Sequence, residues 1–145
     1  MQNILLQLKK TLLITLGIVL AVSMSSCTKK IAFLNSSVVP AARGYVEIKS
    51  DKNKNNVIQI HLTNLAEVQR LQPARQTYIV WMKTDQELTK NMGQIKSSGN
   101  MMSKQLKATF ETVTSFRPVL VFITAEDDPN TQYAGGQVVL TTNNF

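Results

Sequence analysis

The sequence predicts an all-β fold, an immunoglobulin-like antiparallel β-sandwich of about seven strands placed after an N-terminal signal helix. Three observations carry that expectation. From Gly44 onward, apolar residues recur with a period of two rather than 3.6. Turn-forming clusters punctuate the chain at roughly ten-residue intervals. The composition, 43% hydrophobic and 17% charged over 145 residues, is that of one globular domain. It excludes a disordered chain and a polytopic membrane protein. A single Cys and a single His exclude a disulfide framework, a multi-Cys zinc site and a His-rich centre, and no metal or cofactor is expected.

The N-terminus carries an address. Lys9 and Lys10 precede an almost wholly apolar run, Thr11 to Val22. Ser23, Ser25 and Ser26 follow, and Cys27 closes the series. A basic start, a short apolar stretch and a zone of small residues make a secretory signal over 1–26. The run is shorter than the roughly 20 residues of a membrane-spanning helix. Extending it back to Ile4 would place Lys9 and Lys10 in the bilayer, at a cost of about several kcal/mol.

The position of Cys27 resembles the lipobox of bacterial lipoproteins. Met24-Ser25-Ser26 replaces the usual Leu-Ala-Gly and is similar to the serine-rich form common in the Bacteroidetes. The resemblance implies cleavage before Cys27, a diacylglycerol on its thiol and an acyl group on the new amine. Cys27 is thus the expected lipid attachment site and the bilayer its partner. Several acyl chains, at about 0.8 kcal/mol per buried CH₂, hold a protein stably. By the same resemblance, Thr28 in place of Asp argues against inner-membrane retention, and Lys29-Lys30 lacks the acidic residues of surface export. The expected location is the periplasmic face of the outer membrane. Residues 27–42, with Asn35-Ser36-Ser37 and Pro40, read as a lipidated tether, although Val38 and Val39 also suit an edge strand. Residues 43–145 read as the β-sandwich domain.

Tyr45-Val46-Glu47-Ile48-Lys49 alternates, Ser50 to Asn56 turns, and Val57 to Thr63 alternates again with Ile58, Ile60 and Leu62 on one face. That is a hairpin. In Asn64 to Leu71, Asn64 can cap and Glu67 can return the bond, which predicts one or two helical turns before Pro73. Gln76 to Lys83 is apolar on both faces and reads as a central strand containing Trp81. Asn91 to Lys96 is a shorter, edge-like strand. Gln105 to Glu111 turns Leu106, Ala108 and Phe110 inward. Pro118 to Thr124 is a buried strand opened by Pro, and Gln137 to Thr141 is the last. A core without disulfides is feasible at about 100 residues.

Tyr78-Ile-Val-Trp-Met82, Asn91-Met92-Gly93, Phe122-Ile-Thr-Ala-Glu126 and Gly136-Gln-Val-Val-Leu140 together resemble the extracytoplasmic C-terminal domain of anti-sigma-K factors. They also resemble small Bacteroidetes lipoproteins built from that domain alone. The likeness runs from about Gly44 to Leu140 and rests mainly on core-strand patterns. Met92 stands where the family usually has Leu. About ten residues precede the apolar run, too few for the helical domain that grips a sigma factor. The resemblance therefore implies the sensor-like half without direct contact to a cytoplasmic sigma factor.

Candidate chemistry is sparse. His61 alternates with Gln59 and Thr63, which predicts a residue turned away from the core. Glu126-Asp127-Asp128 with Asn130 supplies oxygen ligands of the kind Ca²⁺ takes, but lacks the EF-hand spacing, and a solvated turn is expected. Lys49, Lys52 and Lys54 make a basic tip. Export argues against nucleic acid there and anionic lipid or peptidoglycan is the better match, with a solvated hairpin the simplest reading. Met101-Met102 reads as an apolar contact or a loop folded onto the core. Gly135-Gly136 reads as a turn. The expectation is a non-catalytic, membrane-anchored lipoprotein whose sandwich binds an envelope protein partner or senses the envelope. An accessory role in an anti-sigma pathway is the alternative. A hydrolase using His61 and the acidic loop is a third reading.

Overall fold

The computed structural model describes residues 4, 7, 9, 10, 28–95, 97, 98 and 107–145. Cys27, Leu106, Met101-Met102 and most of the signal segment lie outside the described residues. The described residues form nine strands: β1 (Lys29–Ala32), β2 (Arg43–Ser50), β3 (Asn56–Thr63), β4 (Thr77–Thr84), β5 (Thr89–Ile95), β6 (Ser97–Ser98), β7 (Lys107–Thr114), β8 (Pro118–Glu126) and β9 (Gln137–Thr141). They assemble into two antiparallel sheets, ordered β1-β2-β3-β7-β6 and β5-β4-β8-β9. Seven of the nine correspond to strands expected from the sequence.

One apolar core joins the sheets. Val46, Ile58, Ile60, Leu62 and Ala108 come from the first sheet, and Tyr78, Val80, Met82, Val121, Ile123, Ala125 and Leu140 from the second. The alternation expected of Ile58, Ile60 and Leu62 is seen: these three are buried while Gln59, His61 and Thr63 are half-buried, and Phe110 packs against the same core. Burying an aliphatic side chain is worth about 1.5–3 kcal/mol, so this period-two pattern is the main force setting the registers.

Two expectations are corrected. The tether expected over 27–42 contains β1, which pairs with β2 from Lys29 opposite Ile48 to Ala32 opposite Tyr45. Further along, Val39 and Ala42 are buried in the core. A basic, four-residue edge strand has too little apolar pattern to be read as one. Between β3 and β4 the expected helical turns shrink to one 3₁₀ turn, Val68–Arg70. Asn64 sits at φ 56, outside the extended geometry an N-cap needs, and Leu65 plugs the core instead.

Trp81 is fully buried, but not between the sheets. Val80 and Met82 face the inter-sheet core, so Ile79 and Trp81 face outward from the second sheet, yet both are 0% exposed. The β8–β9 connection, residues 127–136, crosses the face they occupy. It leaves β8, reaches across to β5, where Asn91 Nδ2 donates to the carbonyls of Pro129 (3.4 Å) and Thr131 (2.8 Å), and returns to β9. We call this segment the strap. Asn91-Met92-Gly93 forms the bulge that aims Asn91 at it: Val80 pairs with Gly93 and Trp81 with Asn91, so Met92 is the extra residue. Gly93 takes φ 123, a conformation that favours glycine, and its N–H donates to Asn91 Oδ1 at 2.8 Å.

Candidate functional site

The strand directions define two ends. At one end lie the start of β1 at Lys29, the β2–β3 turn and the β7–β8 turn. The other carries the connections β1–β2 and β3–β4 and the start of β9. There the chain leaves a cleft of about 540 Å³, lined by Val38, Ala41, Asn64, Arg70, Gln72 and Gln137 among others.

Each wall has a local cause. Ser36 Oγ accepts from the N–H groups of Val38 (3.1 Å) and Val39 (3.0 Å), closing a tight turn. Ala42 N–H donates to the Val39 carbonyl at 2.9 Å, and buried Val39 and Ala42 anchor the wall to the core. Arg43 Nη1 donates to the carbonyls of Pro40 and Ala42, both at 2.7 Å. On the opposite wall, Leu65, Val68 and Leu71 are buried and hold the 3₁₀ turn against the core. The buried hydroxyl of Tyr78 donates to the Ala66 carbonyl at 2.9 Å, tying the cleft to β4, and burial raises its pKa to about 12. Arg70 pairs with Glu67 at 2.9 Å on the solvent side, an exposed pair worth little by itself. The cleft thus presents carbonyls, amides, one guanidinium and short apolar side chains. That suits a polypeptide or another ligand of mixed polarity.

The sequence candidates do not meet in this cleft. His61 lies on the outer face of the first sheet, half-buried, its ring 5.0 Å from that of Tyr45. Its side chain turns away from the core, as the alternation indicates. Glu126 is not a solvated loop residue: it ends β8, is 7% exposed and sits on the second sheet. Its Oε1 accepts from Thr124 Oγ1 at 2.6 Å and from the Gly136 N–H at 2.9 Å. Thr124 Oγ1 in turn accepts from Trp81 Nε1 at 2.8 Å. Trp81, Thr124, Glu126 and Gly136 therefore form one buried polar chain beneath the strap, in which each hydrogen bond strengthens the next. Gly136 is required there, because a Cβ would lie 2.1 Å from the Ala125 carbonyl and 2.6 Å from Glu126 Oε2. Asp127 pairs with Arg75, and Asp128 caps its own turn by accepting from the Asn130 N–H at 2.8 Å. Among the described residues no group of three His, Cys, Asp or Glu could hold a metal ion.

The cleft residues Arg70, Gln72 and Gln137 carried no sequence signal, and Asn64 only that of a helix cap. They are single polar residues on two segments, the β3–β4 connection and the start of β9, which the fold brings together. Comparison with family models, curated proteins and solved structures finds no match for this chain.

Proposed function

We propose that this protein is a lipoprotein of the bacterial envelope, held in the periplasmic leaflet of the outer membrane by acylated Cys27. Its domain is a non-catalytic, immunoglobulin-like sandwich that binds an envelope protein through the end cleft. The strand order supports the immunoglobulin-like reading. Taking β2, β3, β7 and β6 as strands A, B, E and D, and β5, β4, β8 and β9 as C′, C, F and G, reproduces the two sheets of that fold, with β1 added at one edge. Trp81 then falls on strand C, but on its outer face.

One observation carries the functional reading: the cleft and residue 28 lie at opposite ends of the domain. Eight-residue strands separate those ends by about 25 Å at roughly 3.3 Å per residue. A chain held at residue 27 therefore presents the cleft away from the lipid surface, where a partner can reach it. The likeness to the anti-sigma-K domain fits a sensor-like binding role, and an accessory part in such a pathway is a special case of it.

A photo-crosslinking amino acid at Gln72, on the cleft, or at Gln59, on the outer face of the first sheet, tests this in intact cells. A discrete adduct from position 72, absent from position 59, is the expected result. Equal labelling at the two positions, or none at 72, overturns the cleft as the binding site.

A further inference from the structure

The end opposite the cleft has its own chemistry. Lys29 begins β1 opposite Ile48, so the described chain enters the sheet at the same end as the tip of the β2–β3 hairpin. Lys52 and Lys54 stand exposed on that tip, and Arg117 is exposed on the neighbouring β7–β8 turn. Among the described residues these three form no ion pair. At the cleft end, by contrast, Arg70 pairs with Glu67, Arg75 with Asp127, and Arg43 donates to two carbonyls.

The acidic residues of the lysine-bearing end do not cancel it. The carboxylate of Asp51 is turned into its own loop, accepting from the N–H groups of Asn53 and Asn55, each at 2.8 Å, and from Asn55 Nδ2 at 3.1 Å. These bonds, those from Asn55 foremost, lower its pKa and hold the tip in shape. Asp85 and Glu87 lie on the β4–β5 turn, where the Asp85 N–H donates to the Arg117 carbonyl at 3.1 Å; among the described residues neither carboxylate forms an ion pair with Arg117, Lys52 or Lys54. The hairpin tip is therefore a rigid loop that shows cations outward at the end where the anchor attaches.

We infer that this tip, through Lys52 and Lys54 with Lys29 and Arg117 beside them, seats the domain on anionic phospholipid headgroups. This is a second membrane contact, and it fixes the cleft away from the bilayer. The inference rests on the anchoring reading above. An anchor alone gives attachment without orientation, whereas two points of contact fix the tilt. The energetics are adequate, since a lysine near an anionic surface shifts such an equilibrium by about fivefold, and two lysines by about twenty- to thirtyfold.

The test uses the full chain purified with its own anchor and reconstituted in vesicles that carry a lipid-borne fluorescence quencher. A dye is placed at Asn53→Cys on the tip or at Gln72→Cys on the cleft. The vesicles are phosphatidylcholine alone or phosphatidylcholine with phosphatidylglycerol. The dye at 53 should be quenched on the anionic vesicles, and several-fold less on neutral ones. It should also be several-fold less quenched in about 1 M salt, where the screening length falls to about 3 Å. Lys52→Gln with Lys54→Asn should bring it to the neutral-vesicle level; Asn is chosen at 54 because the backbone there has φ 63. The dye at 72 should stay unquenched throughout. Quenching at 53 that ignores lipid charge or the two lysines overturns the inference, and so does stronger quenching at 72. If the chain is held by an uncut apolar segment instead of acyl chains, the anchoring reading alone fails. Residue 28 still enters at the same end, and the same comparison, with Cys27→Ser, decides the seating.

Discussion

The first sheet turns Tyr45, Gln59, His61 and Glu111 outward, and they stay partly or fully solvated. The second sheet turns Ile79 and Trp81 outward, and both are completely buried. The open face is held by polar cross-strand contacts: Gln59 Nε2 to Glu111 Oε2 at 2.6 Å, Lys49 Nζ to Gln59 Oε1 at 3.3 Å, and the Lys30 ammonium 5.0 Å over the Tyr45 ring. The strapped face is held by a buried indole and a hydrogen-bonded carboxylate. Solvated contacts of the first kind contribute a few tenths to about 1 kcal/mol each. Buried ones of the second kind leave an unsatisfied polar group or a cavity when broken, so they cost more. The strap thus makes β4 the most deeply buried strand of a small domain and gives the molecule a second, one-sided core.

The contrast is sharpest at Trp81. Trp81→Ala should cost about 3–5 kcal/mol in urea unfolding, since it opens a cavity under the strap and removes the donor to Thr124. A loss below about 1 kcal/mol would mean that the strap does not close over the indole. Glu126→Ala should cost about 1–3 kcal/mol, because the Gly136 N–H and the Thr124 hydroxyl lose their acceptor. Amide exchange at Gly136 should quicken in parallel, and unchanged exchange there would break the link between carboxylate and strap. At the small end, His61→Ala on the open face should shift stability by no more than about 0.5 kcal/mol, read from the same urea midpoints. An effect as large as that of Trp81→Ala would erase the difference between the two faces.

The same two faces explain what was legible in the sequence. The hairpin of β2 and β3 is plain because Ile58, Ile60 and Leu62 alternate with polar residues on a solvated side. Burial of β4 on both faces is equally plain from Ile79 to Met82, which has no polar residue. What covers its outer face is not, because the strap is an Asp-, Asn- and Gly-rich segment whose own composition suggests an exposed loop. Glu126 was hidden for the same reason: beside Asp127 and Asp128 it looks solvated, and only the hydrogen bonds to Thr124 and Gly136 show otherwise. Of the segments read as resembling the anti-sigma-K domain, Trp81, Asn91, Gly93, Thr124, Glu126 and Gly136 are the residues that hold the strap. They bear on the fold and leave the cleft undetermined. β1 escaped notice because Lys29 and Lys30 mask a strand that is only four residues long.

The orientation of the cleft depends on where the chain is held. The intact mass of the protein extracted from membranes, beside a Cys27→Ala control, tests that most directly. The expected result is a chain that begins at residue 27 and carries the added mass of a diacylglycerol and an acyl group, both lost in the control. An uncut chain without lipid mass, unchanged by the substitution, would contradict that orientation.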